Sequence, residues 1–222
     1  GFTSSAVSES FPSAKMTVNF LRGVGGAAGG VSAPRPDTSR KALLKIKPET
    51  RMLIDGKLVA AENGATFANI NPATEEKLGD VADATRNDMR RAIDAARRAF
   101  DTTDWSTNRE LRKHCLDQLQ KALESEKEEM RETLILEAGC PRMTTLRQQL
   151  DAPLAEAIKY PLSLMDKFAW ETVLPDGKGS QGEPNARRIW KEAVGVVGAI
   201  VPWNFPFEVA INKLAQALAT GN

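Results

Sequence analysis

The stretch Val194-Gly-Val-Val-Gly-Ala-Ile-Val-Pro-Trp-Asn-Phe-Pro-Phe207 constrains the fold of this chain more than any other part of it. From Ala193 to Val201 it is apolar, rich in β-branched residues and free of charge after Glu192. That pattern predicts a buried strand in a sheet covered on both faces. Pro202 ends the strand, because a proline can neither donate to a sheet ladder nor continue a helix. After Pro206, the residues Phe207, Ile211, Leu214 and Leu218 recur at the spacing of one helix face, and Gly221 is placed to close that helix. The chain therefore reads strand, loop, helix, which is the local unit of an α/β fold.

Trp203-Asn204-Phe205 falls on the loop between the C-terminal end of the strand and the N-terminus of the helix. Open α/β sheets bind their ligands at that end. A side-chain amide held there, such as that of Asn204, suits the stabilisation of a developing oxyanion.

These residues resemble the aldehyde dehydrogenase superfamily, whose members carry a Pro-Trp-Asn-Phe-Pro box after a Gly-Val-Val-Gly strand. Here the box is Pro202-Trp-Asn-Phe-Pro206, and the helix after it ends Ala217-Leu-Ala-Thr-Gly-Asn222, as in the family. Asn71-Pro-Ala-Thr-Glu75 is similar to the family's early turn. Ala95-Ala-Arg-Arg-Ala-Phe100 followed by Trp105 is similar to its first helix, and Glu137-Ala-Gly-Cys-Pro141 to the end of its third. The motifs occur in the family's order from Met52 to Asn222. The resemblance implies a partial aldehyde-dehydrogenase-like α/β fold: the N-terminal part of a Rossmann-like cofactor domain, with a small antiparallel sheet, a helical run and a β-arm. It implies an oxidoreductase that converts an aldehyde to a carboxylic acid with NAD or NADP through a cysteine thiohemiacetal. Asn204 would stabilise the oxyanion, and Ile200, Val201, Pro202 and Trp203 would line the nicotinamide-ribose pocket. The family's nucleophilic cysteine and general-base glutamate belong beyond residue 222, so the chain is expected to be a fragment and inactive alone. The alternative is a truncated binding or oligomerisation module derived from the same fold, and the reading frame beyond residue 222 separates the two.

Composition narrows the partners. A formal net charge of +1, without a basic cluster carrying interleaved aromatics, gives no reason to expect nucleic acid. No apolar run approaches the ~20 residues of a membrane helix. Two cysteines and one histidine offer neither a disulfide framework nor a metal site. The expected location is the cytoplasm, and the resemblance implies a homodimer or homotetramer for the whole enzyme.

Residues 1–50 read as a disordered leader or linker, and residues 51–222 as the family domain. Residues 22–36 are too rich in Gly, Ala and Pro to bury a core. Up to Pro48 there are seven basic residues against Glu9 and Asp37, a bias shared with transit peptides, but no Arg-bearing amphipathic helix stands out. Gly23-x-Gly25-x-x-Ala28 matches a loose dinucleotide fingerprint. It is followed by Gly29-Gly30, Pro34 and Pro36 instead of the helix that the mechanism needs, and is rejected.

Further elements follow from periodicity. Asp55-Gly56 predicts a hairpin over Met52–Val59; strands at Thr66–Ile70 and Leu78–Val81 complete one small sheet. A helix from Thr85 is predicted to turn Met89, Ile93, Ala96 and Phe100 inward. Thr107-x-x-Glu110 is read as a capping box for a helix burying Leu111, Cys115, Leu119 and Leu123 (or the nearby Ala122). A helix from about Glu126 ends at Gly139. A long helix is expected from Thr144 to about Ala169, bent at Pro153 and Pro161. Residues 170–192 read as an exposed β-arm for oligomerisation, after which the chain returns to a parallel sheet. Cys115 is read as a buried core residue. Cys140, beside a helix C-terminus, is a poor thiolate. His114 receives no role, Lys213 reads as a solvated lysine or, as the alternative, one reaching back towards the active-site entrance, and Glu208 complements the helix dipole.

Overall fold

The structure, a computed structural model, describes residues 49–222. The leader, the transit-peptide bias and the rejected dinucleotide fingerprint lie outside the described residues.

β1 (Met52–Ile54) and β2 (Lys57–Val59) form an antiparallel hairpin. Asp55 and Gly56 both have positive φ, 53° and 71°, as the two-residue turn matching strand twist requires. β3 (Thr66–Ile70) and β4 (Lys77–Ala82) form a second hairpin. The Asn71 side chain shapes its loop by accepting from the amide of Ala73 at 2.8 Å. The single small sheet expected from the sequence is thus two two-stranded sheets. They are neighbours, since the Ala82 amide donates to the Thr50 carbonyl at 2.9 Å. Met52, Ile54, Ala61 and Ala82 form their small shared core.

α1 (Arg86–Thr102) begins with Thr85 as N-cap. The Asp88 amide donates to the Thr85 hydroxyl oxygen, and the Thr85 amide donates back to the Asp88 carboxylate. Asp88 is buried and also accepts from the Glu62 amide at 3.1 Å, so the cap fixes the helix to the hairpins. The predicted inward stripe is not inward: Met89 and Ile93 are exposed, and only the Ala92 edge meets the small core. No described element covers the stripe.

α2 (Arg109–Ser125) and α3 (Lys127–Ala138) follow. The N-cap of α2 is Asn108, whose side chain accepts from the Leu111 amide at 3.0 Å, not the box read at Thr107. Its buried face is Arg112, Leu116, Gln120 and Leu123, one residue round from the predicted one, with Leu111 exposed and Cys115 half-buried. α3 ends as expected at Gly139 in the left-handed conformation.

The long helix expected from Thr144 is instead α4 (Arg142–Thr145), α5 (Asp151–Glu156) and α6 (Lys159–Leu164). Pro153 and Pro161 each fall in the first turn of a new helix, where the missing N–H costs nothing. The prolines restart the helix; they do not bend it. β5 (Glu171–Lys178) pairs antiparallel with β6 (Pro184–Trp190) in an exposed hairpin, and every residue of β6 is exposed.

α7 (Pro206–Ala219) is the centre of the helical core and packs on α2, α3, α5 and α6. Phe207, Ile211, Ala215 and Ala219 are its buried face, joined by Leu116, Leu150, Ile158 and Met165. Full burial of a side chain such as Ile211 contributes about 1.5–3 kcal/mol. Arg112 closes the far end, donating to the carbonyls of Trp105 (2.6 Å) and Ala219 (3.3 Å). A cation at a helix C-terminus is favourable.

The apolar run before the loop departs from expectation. Residues 191–202 form no strand, and no parallel pair exists among the described residues. Val194 and Ile200 are 87% and 88% exposed. The three hairpins pair only within themselves, so no strand edge is recruited to this run.

Candidate functional site

The loop from Pro202 to Phe205 leads into α7, whose first residue is Pro206. Pro206 and Phe207 are both buried, which seats the helix start against the core. No side chain caps this N-terminus, so its amides leave the positive end of the helix dipole open.

Asn204 is exposed on this loop, and its side chain joins no hydrogen bond among the described residues. It lines an open groove of about 460 Å³ together with Pro202, Glu208, Asn212 and Lys213. Glu208 and Asn212 are one helical turn apart on the same face of α7. Lys213, read from sequence as a solvated lysine, is exposed but borders this groove. The groove therefore gathers an amide donor from the loop with a carboxylate, a second amide and an ammonium from the first two turns of α7.

Of the residues assigned to the nicotinamide-ribose pocket, Pro202 lines the groove with Asn204. Ile200, Val201 and Trp203 do not border it; Ile200 and Trp203 are exposed, and Val201 is half-buried. The strip 200–203 places exposed apolar surface next to the groove.

Neither cysteine is prepared for nucleophilic work. Burial pushes both the Cys115 and the Cys140 thiol up from the ordinary range, so neither is poised as a thiolate. His114 is exposed on α2. Among the described residues no group of His, Cys, Asp and Glu is arranged to hold a metal, and no helix is long and apolar enough to cross a membrane.

Gln149, which no motif singled out, and Asn222, the last residue of the helix-end motif, hold this region together. The Gln149 side chain donates to the Asn204 main-chain carbonyl at 2.9 Å. The Asn222 side-chain oxygen accepts from the amides of Val194 (2.7 Å) and Gly195 (2.9 Å), tying the unpaired run to the end of α7. Nothing in local periodicity marks these polar residues, whose partners are distant in sequence.

Residues 58–222 match the model of the aldehyde dehydrogenase family. The chain is 34% identical over 180 residues to the NADP/NAD-dependent aldehyde dehydrogenase PuuC of Escherichia coli, covering 81% of this chain and 35% of that protein. It is 38% identical over 173 residues to the putative aldehyde dehydrogenase DhaS of Bacillus subtilis, covering 77% and 33%. In structure it is similar to the indole-3-acetaldehyde dehydrogenase AldA of P. syringae in complex with NAD+ and IAA. The TM-score there is 0.73 at 32% identity, over 83% of this chain and 36% of that one. A betaine aldehyde dehydrogenase of Staphylococcus aureus in complex with NAD+ gives 0.69 at 30% identity, over 82% and 35%. The chain belongs to the aldehyde dehydrogenase family. It spans about a third of the length of these curated relatives.

Proposed function

We propose that this chain is the N-terminal part of an enzyme that oxidises an aldehyde to a carboxylic acid with NAD or NADP, and that Asn204 supplies a hydrogen-bond donor to the oxyanion formed when the aldehyde carbonyl is attacked. The observation that carries this reading is Asn204 itself: an uncommitted, exposed side-chain amide on a loop whose backbone is held from behind by a buried residue. A donor held in advance stabilises developing charge without reorganising. The positive end of α7 lies beside it and acts in the same sense. Ile200, Val201, Pro202 and Trp203 would hold the nicotinamide-ribose portion of the cofactor, which when bound supplies the hydride acceptor. The nucleophile and the general base are proposed to lie outside this chain, as the family resemblance implies; burial raises both thiols here, which disfavours the thiolate that a nucleophile needs. On this reading β5–β6 serves assembly into a homodimer or homotetramer, and the enzyme is cytoplasmic.

The test is Asn204→Ala in the complete enzyme, with turnover measured beside the cofactor dissociation constant. Loss of one such donor costs roughly 3–4 kcal/mol of transition-state stabilisation, so turnover should fall by ~10²–10³ while cofactor affinity changes little. Asn204→Asp should be worse, because it sets a carboxylate against the oxyanion. Turnover within about threefold of the parent would make Asn204 a structural turn residue. Aldehyde-dependent NADH or NADPH production by the purified 222-residue chain would refute the placing of nucleophile and base outside it.

A further inference from the structure

We infer that Gln149 is a positioning residue for Asn204: it fixes the orientation of the peptide that carries the oxyanion donor without touching substrate. The inference rests on the role proposed for Asn204. Gln149 lies on the turn between α4 and α5, 55 residues from its partner in sequence, and is only 5% exposed. Its Nε2 donates to the Asn204 carbonyl at 2.9 Å. Its Oε1 is buried without a partner among the described residues. Leaving a buried acceptor unpaired is costly, and an apolar side chain of the same shape would avoid that cost. Fold stability alone therefore gives a poor reason for a glutamine here, and the bond to the loop gives a better one.

The turn that carries Gln149 is itself clamped. Arg131, buried on α3, donates to the Thr145 hydroxyl at 3.0 Å and to the Asp151 carboxylate at 2.8 Å. These partners lie just before and just after Gln149. The Gln149 amide donates to the Thr144 carbonyl at 3.0 Å, and the neighbouring Leu150 is fully buried. A side chain anchored in this way transmits a fixed position.

What it fixes follows from backbone geometry. A peptide unit is planar, so holding the Asn204 carbonyl oxygen sets the plane of the Asn204–Phe205 peptide. Pro202 and Pro206, two residues to either side, have locked φ angles. With φ locked at Pro202 and Pro206 and the carbonyl held, the backbone from which the Asn204 side chain projects has little freedom. Misplacing a reacting group by about 1 Å can cost ~10²-fold in rate. Gln149 does not border the groove, so its effect must pass through Asn204.

The experiment uses the complete enzyme, with Gln149→Met, Gln149→Glu, Asn204→Ala and the double variant Gln149→Met/Asn204→Ala. Methionine keeps length and volume but removes the donor. Gln149→Met should lower kcat by about tenfold to a hundredfold with the aldehyde KM little changed. On the Asn204→Ala background the same substitution should cost less than about threefold, because the group it positions is gone. Gln149→Glu should show kcat, relative to the parent, rising as pH falls, since a protonated carboxyl can donate to the carbonyl and a carboxylate cannot. An equal loss in both backgrounds, or Gln149→Met with parental kcat beside an impaired Asn204→Ala, would overturn the inference and leave the Asn204 role standing. Parental turnover in Asn204→Ala would instead remove the reading on which it rests. If Gln149→Met does not fold, the glutamate variant decides, and a ratio to parent that is flat with pH counts against the inference.

Discussion

Replacing Arg131 by methionine should loosen the turn that carries Gln149 while leaving the rest of the chain unchanged. The guanidinium side chain is 2% exposed, and it bonds Thr145, Asp151 and Glu128. Removing one partner of a buried ion pair typically costs about 3–5 kcal/mol. The surroundings here reduce that figure. Glu128 is 73% exposed and passes to water at little cost. Asp151 keeps Lys127 at 3.1 Å, and the Thr145 hydroxyl keeps its bond to the Arg142 carbonyl at 2.7 Å. Methionine fills most of the vacated volume. About 2–3 kcal/mol remains as the expected local loss. Hydrogen exchange followed by mass spectrometry reads it directly: amides such as Gln149 and Ala152 should exchange about 30- to 150-fold faster, with α1 unaffected. The effect should narrow in acid. Burial works to raise the Asp151 carboxyl, but the hydrogen bonds from Arg131 and Lys127 outweigh it, and the net shift is below its ordinary 3.8. A lowered carboxyl contributes stability above its ordinary value, which is lost as pH falls through the folded value. Acceleration below about threefold at neutral pH, or an equal acceleration in α1, would refute the clamp.

Two further substitutions test the seam between hairpins and helices. Burial raises the Glu137 carboxyl, against a partial offset from Asn69, whose amide donates to it at 2.6 Å. The folded state therefore holds this proton more tightly than the unfolded one, and stability falls as pH rises from the ordinary 4.5 through the raised value. Glu137→Gln keeps the acceptor for Asn69 and removes the charge. It should gain on the parent across that window in urea unfolding, and a gap that is constant with pH would count against the burial argument. Gly139 has φ of 66°, and an added Cβ would lie 2.8 Å from the Pro72 ring. Gly139→Ala should cost at least about 1–2 kcal/mol from backbone conformation, a Tm drop of roughly 2–8 °C, and an unchanged Tm would refute the close approach.

Local chemistry was legible in the sequence wherever the cause was local. Asp55-Gly56 specifies its turn by two positive φ angles, and Gly139 ends α3 by one. The spacing of Phe207, Ile211 and Leu218 located α7 because a helix must show one face to a core. The failures also have causes. At Thr107 the neighbouring Asn108 supplies the better cap. Periodicity gives a stripe but not its partner, so it points Met89 and Ile93 inward although no described element meets them. A proline in an apolar helical pattern can bend a helix or begin one, and Pro153 and Pro161 begin theirs. For the site, Asn204 was legible because its motif is contiguous. Gln149, Arg131 and Asn222 act across long sequence separations, and only the fold brings them to their partners.

A strand is a property of a pair, and the run from Ala193 to Val201 has only its own half of one. Its composition favours a buried strand, yet each described hairpin is already closed on itself. Two of its amides settle for the Asn222 side chain, and Ile200 is left in solvent with Trp203 beyond it. The consequence for the candidate site is an asymmetry. On the side facing α7, the loop is held by buried Pro206 and Phe207 and by the Gln149 bond. On the side facing the run, the restraints are fewer: the locked φ of Pro202, the Asn222 bonds and the close approach of Arg97 to Gly195. The order that Asn204 needs is therefore supplied from the helix side, by residues with no chemistry of their own.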